Sequence, residues 1–74
     1  MTAREKEYVS AKLLELLPKL IQRDSLDGVD QKTVIDYMGL INKVVYTKKE
    51  AIPFLNELCD DGLLRMENDK YYPL

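Results

Sequence analysis

Leu55-Asn56-Glu57-Leu58-Cys59-Asp60-Asp61-Gly62-Leu63-Leu64-Arg65-Met66-Glu67 decides how this chain folds, because the hydrophobic period changes inside it. Ile52, Leu55 and Leu58 recur at helical spacing, with Cys59 beside them. Asp61-Gly62 marks the end of that helix. Beyond it Leu64 and Met66 alternate with Arg65 and Glu67, the period of a half-buried strand. Asn68-Asp69 suits a tight hairpin turn. The returning strand, residues 70–74, is expected to face Tyr72 and Leu74 inward and Tyr71 outward. Pro73 marks it as an edge strand, because proline has no N–H to give to a ladder.

Upstream of this stretch, Thr47 and Glu50 form a capping-box pattern, and Pro53 leaves two readings open. If the helix begins at Thr47, Pro53 falls about six residues in, where it costs roughly 3 kcal/mol unless a kink absorbs it. Alternatively the helix starts at Ile52 with Pro53 at the favoured first position, and Thr47 to Glu50 form a separate turn. Residues 40–46 (Leu-Ile-Asn-Lys-Val-Val-Tyr) are ambiguous, since Val44 and Val45 prefer extended backbone. They are expected to connect two helices and to lend Leu40, Ile41 or Val44 to the core. Asp30 is a good N-cap for a helix from Gln31 to about Met38, with Val34, Ile35 and Met38 on its apolar side. Gly39 stands where a left-handed residue would stop it. Asp24-Ser25-Leu26-Asp27-Gly28 is a cluster of turn formers, after which Val29 can make a short extended contact.

The first helix opens on another capping box, Thr2 and Glu5. Val9, Leu13, Leu16, Leu17, Leu20 and Ile21 then form one apolar stripe ending by Arg23. Pro18 predicts a kink near Leu17, or a helix that ends there and restarts.

Three helices followed by a terminal hairpin is the order of the winged helix-turn-helix superfamily. The segment Leu55-x-x-Leu58-x-x-x-Gly62-Leu63-Leu64 resembles the end of that superfamily's third helix, where a glycine turns the chain and two apolar residues open the wing. The resemblance covers about residue 3 to the end, and its motif is moderately specific. It implies a mainly α (α+β) fold over residues 1–74: a three-helix winged helix-turn-helix with a C-terminal β-hairpin wing. Two features depart from the pattern. The segment between Gly39 and Thr47 is long for the turn before the third helix, and Pro53 lies inside the helix that would read DNA.

Composition narrows the function. The chain has 74 residues, one cysteine and no histidine, so neither an internal disulfide nor the usual Cys/His zinc site can form within it. Asp24, Asp27 and Asp30 lack the ligand order of an EF-hand loop. No phosphate-binding glycine loop, Ser/His/Asp set or general base appears, and the expectation is a binding protein without catalysis or cofactor. A free thiol, the charged run Arg4-Glu5-Lys6-Glu7 close after Met1 and apolar runs of only a few residues predict a soluble, cytoplasmic protein.

The net charge of −2 argues against strong nucleic-acid binding. Its distribution is more permissive: residues 1–23 and 42–56 are each +2, while 24–36 and 57–61 are each −3. The resemblance implies that the N-terminal part of the third helix enters the major groove of double-stranded DNA. That would present Tyr46, Thr47, Lys48 and Lys49, with Asn56 further along the exposed face. Lysines neutralise phosphates, a threonine hydroxyl bonds a phosphate oxygen, and asparagine can read adenine. The wing would add Arg65, Asn68 and Lys70. Specific binding by so few cations would need a dimer. Tyr8, Val9 and Leu13 on the first helix are the expected surface for a homodimer or a protein partner, if the small core leaves them uncovered. The alternative is a protein–protein interaction module with no DNA binding, favoured by the acidic pI of 5.0 and by Glu57, Asp60 and Asp61 at the far end of the third helix.

Overall fold

The computed structural model describes all 74 residues as three helices and a three-stranded antiparallel sheet. In chain order these are α1 (Ala3–Asp24), β1 (Val29–Asp30), α2 (Gln31–Asn42), α3 (Lys48–Asp60), β2 (Leu64–Glu67) and β3 (Lys70–Pro73). No helix is long and apolar enough to cross a membrane.

Helix α1 starts on the expected capping box: the Thr2 side chain accepts from the Glu5 N–H, and the Glu5 carboxylate accepts from the Thr2 N–H. Pro18 does not divide it. The helix is one element of 22 residues, with Val9, Leu13, Leu17 and Leu20 buried along one side and Pro18 exposed on the other. Four buried side chains hold the turns together across the single backbone bond that proline forfeits. Ser25, in the left-handed region, closes the helix.

Gly39 does not stop α2, which runs three residues further, to Asn42, and is closed by Lys43 at φ 56. The glycine serves a different purpose. A Cβ there would lie 2.6 Å from the carbonyl oxygen of Val44, so its absence lets the following turn fold back onto the helix. The Val44 N–H donates to the Gly39 carbonyl at 3.1 Å in the same close approach. Helix α3 follows the first of the two readings: Thr47 caps it with a capping box to Glu50, and Pro53 lies inside the helix. Gly62, at φ 75, turns the chain out of α3, and the Leu63 N–H donates to the Leu58 carbonyl.

The strand order is β1-β3-β2, so β3 is central rather than at an edge. Pro73 is tolerated because β1 pairs only with Lys70 and Tyr71. On the other side Pro73 faces Leu64, and it is the next residue, Leu74, whose N–H donates to Leu63. The alternation of an antiparallel ladder therefore aims the proline nitrogen at the open side. Asn68 and Asp69, at φ 53 and 62, make the two-residue turn with both central residues left-handed.

That turn reverses the expected facing of β3. It pairs Met66 with Tyr71 and Arg65 with Tyr72, and paired residues share a face. Tyr71 therefore points inward and is fully buried, its hydroxyl accepting from Gln31 Nε2 at 3.1 Å. Tyr72 is half-buried on the outer face, and Leu74 is exposed. Met66 shares the inner face but lies beyond the edge of the core, and is exposed.

One hydrophobic cluster joins all six elements, from Val9, Leu13 and Leu17 through Val29, Val34 and Met38 to Phe54, Leu55, Leu64 and Tyr71. Val9 and Leu13 are fully buried and offer no surface to a second copy or a partner; of the expected patch on α1 only Tyr8 is exposed. Between α2 and α3 one of the three expected residues reaches the core. Ile41 packs partly against the core, but Leu40 and Val44 stand outside it, and Tyr46 is buried in their place.

Candidate nucleic-acid interface

The N-terminal end of α3 is built by a tight turn, residues 43–47, that ends in the Thr47 cap. Tyr46 anchors it. Its hydroxyl donates to the Glu5 carboxylate at the start of α1 and accepts from Asn42 Nδ2 at 2.8 Å. This bond holds the Glu5 carboxyl below its usual range, and burial raises the Tyr46 phenol. Tyr46 is therefore a structural tether and cannot pack on a sugar or base, which corrects its expected role. The Thr47 hydroxyl is also engaged: it accepts from the Glu50 N–H at 3.3 Å and donates to Glu50 Oε1 at 3.1 Å. It can donate to a phosphate only by releasing Glu50 Oε1, while its oxygen goes on accepting from the Glu50 N–H as the cap.

Lys48 and Lys49 are exposed. The ion pairs of the protein are Lys6–Glu57, Lys19–Glu15, Arg23–Asp24 and Arg65–Glu67, so neither lysine has a salt-bridge partner, and nor does Lys43 at the other end of the turn. Three lysines without salt-bridge partners thus flank one helix N-terminus, where the helix dipole adds positive potential. Lys43 was not singled out from the sequence; its signal was its place in the positive segment. Asn56 is exposed seven residues after Lys49, two turns along the same side, with Pro53 between them. Asp60 continues that side and Asp61 follows it. Glu57, one of the three acids that favoured the protein-binding alternative, is paired with Lys6 at 3.1 Å, so part of the acidic end is neutralised within the protein.

On the hairpin the site residues are all exposed but differ in freedom. The Arg65 guanidinium lies 4.8 Å over the Tyr72 ring and 3.6 Å from Glu67. Asn68 forms the turn itself. Lys70 stands opposite Asp30 across the sheet. The Asp30 carboxyl caps α2 by accepting from the Thr33 N–H at 3.0 Å, which holds it below its usual range.

A second feature adjoins the lysines. An open groove of about 470 Å³ runs between the outer face of α2 and the turn, bordered by Leu40, Val44 and Val45. The sequence offered two of these three, Leu40 and Val44, as alternatives to Ile41 for a place in the core. Their crowding into one ambiguous segment was the available signal.

Compared with family models, curated proteins and solved structures, the chain matches none.

Proposed function

We propose that this chain is a winged-helix DNA-binding protein, acting in transcription regulation, with α3 set against the duplex by its N-terminal end and the β2–β3 hairpin as the wing. The observation that carries the reading is the trio Lys43, Lys48 and Lys49, exposed and without salt-bridge partners around one helix N-terminus. The element order supports the fold assignment: helix, short strand, two helices, hairpin, with the short strand completing the hairpin's sheet. The resemblance of Leu55 to Leu64 to the superfamily's helix end points the same way.

The chemistry is electrostatic first. Lys43, Lys48, Lys49 and Lys70 would neutralise phosphates, and Asn56 is the side chain placed to reach a base edge. Four phosphate contacts predict a log-log salt slope near about −3.6, hence roughly a 100-fold loss of affinity between about 50 and 200 mM salt. A titration of labelled duplex by fluorescence anisotropy at both salts tests this. The Lys48→Ala/Lys49→Ala variant should bind more weakly and flatten the slope by about 2. Unchanged affinity in that variant, or no binding by the parent at the lower salt, overturns the site.

A second reading, a protein-docking module without DNA binding, is favoured by a different observation: Leu40, Val44 and Val45 are exposed together.

A further inference from the structure

We infer that the groove between α2 and the α2–α3 turn docks a short segment of a partner protein that carries aliphatic side chains flanked by carboxylates. The groove goes beyond the DNA reading and stands without it.

Leu40 is 72% exposed, Val45 93% and Val44 46%, within six residues of chain. Singly exposed apolar residues are ordinary, but three bordering one groove leave a contiguous apolar surface in water. Their exposure is built in rather than a result of slack. The turn is held from three sides: the Val44 carbonyl is packed on Gly39, the Val44 N–H donates to the Gly39 carbonyl, and Tyr46 is tied to Asn42 and Glu5. Val45 cannot turn inward without breaking that arrangement, because the buried place in the segment belongs to Tyr46. The groove is thus preformed, and a ligand would meet little ordering cost on the protein side.

Charge identifies the occupant. Lys43 lies on the rim, and Lys48 and Lys49 follow just past the turn, all without salt-bridge partners. Asp36 is the one acid that lines the groove. Lys43 and Asp36 offset each other in the lining, so the positive excess comes from Lys48 and Lys49 at the end that adjoins α3; apolar walls select aliphatic side chains, and these lysines select carboxylates beside them. A nucleic acid would satisfy the lysines but leave Val44, Val45 and Leu40 against phosphate and sugar. A second copy docking by the same surface would set lysines against lysines across a two-fold axis.

The probe is a labelled peptide of about 12 residues with leucines at three- and four-residue spacing and glutamates elsewhere. A matched peptide with lysines in place of the glutamates is the control. Both are titrated into the full chain by anisotropy, with amide chemical shifts followed by NMR. The acidic peptide should bind and shift the amides of Leu40, Lys43, Val44 and Val45, and the lysine peptide should not. The Leu40→Ser/Val45→Ser variant should weaken acidic-peptide binding by about tenfold or more. Both positions lie outside the core, so the variant should keep the parent's thermal midpoint and duplex affinity. Equal binding of the two peptides, no binding, or shifts confined to other elements overturns the proposal. So does a parent that sediments as a dimer which the variant abolishes, since a second copy would then cover the groove. A failed peptide titration beside intact duplex binding removes this inference alone.

Discussion

At the residue scale, Tyr46 couples distant parts of the chain. It links the first turn of α1 through Glu5, the end of α2 through Asn42, and by its position the cap of α3. Glu5 is held below its usual value near 4.5 chiefly by this hydroxyl. A depressed carboxyl contributes stability above its unfolded value, and that contribution is lost as pH falls through the folded value. Thermal midpoints should therefore drop below about pH 4.5. Tyr46→Phe should lower the midpoint at neutral pH, by about 4–8 °C per kcal/mol lost in a domain this size. It should also flatten the acid limb, so that variant and parent converge at low pH. Tyr46 itself is raised above its usual 10.0, mainly by burial; its stabilising effect is present below that value and fades as pH rises beyond it. Gly39→Ala makes a second residue-level expectation. Helix propensity alone predicts a gain of up to about 1 kcal/mol. A Cβ 2.6 Å from the Val44 carbonyl oxygen must instead displace the turn, so a net loss of about 1–3 kcal/mol in urea unfolding is expected. A net gain would mean that the turn yields freely.

At the element scale, both interior prolines were legible and only their consequence was not. Pro18 and Pro53 sit on the exposed sides of α1 and α3, where each forfeits a backbone bond without disturbing a buried contact. Pro18→Ala should restore the bond to the Leu14 carbonyl and raise stability by about 1–2 kcal/mol, once the entropy proline removes from the unfolded chain is set against it. An unchanged denaturation midpoint would mean that the helix axis bends around the proline. The hairpin teaches a different lesson. A two-residue turn at Asn68-Asp69 places Met66 opposite Tyr71, so inward Met66 and inward Tyr72 were never compatible. Register arithmetic alone would have turned Tyr71 inward.

At the scale of the whole molecule, α1 at about 1.5 Å per residue matches the longest dimension, 32 Å. Helix α2 and strand β3 pack along its buried side. A chain of this length is expected to be stable by only about 4–11 kcal/mol. Leu55 is fully buried in the shared cluster, and Leu55→Ala should remove about 2–5 kcal/mol of that. Urea unfolding of this variant should shift as one transition in both circular dichroism and tyrosine fluorescence, because every element contributes to one core. Separate transitions would show that α1 or the sheet is held independently.

The sequence by itself determined the three helices, the caps at Thr2 and Asp30, the helix-to-strand change at Gly62 and the turn at Asn68-Asp69; at Thr47 it left two starts open, and the structure took the earlier one. Each follows from local period or local backbone chemistry, and each is satisfied within a few residues. It also marked Lys48, Lys49, Asn56 and Lys70 as exposed polar positions, which the structure leaves at the surface. Only the tertiary structure decided which apolar residues the core would accept. Val9, Leu13 and Tyr46 are buried, while Leu40, Val44 and Val45 are left outside. That choice depends on where α1 crosses the α2–α3 turn and on the reach of the Tyr46 hydroxyl to Glu5, contacts 41 residues apart in the chain. No window of local sequence contains both partners of such a contact, so hydrophobicity alone could not say which side of the turn would face the core.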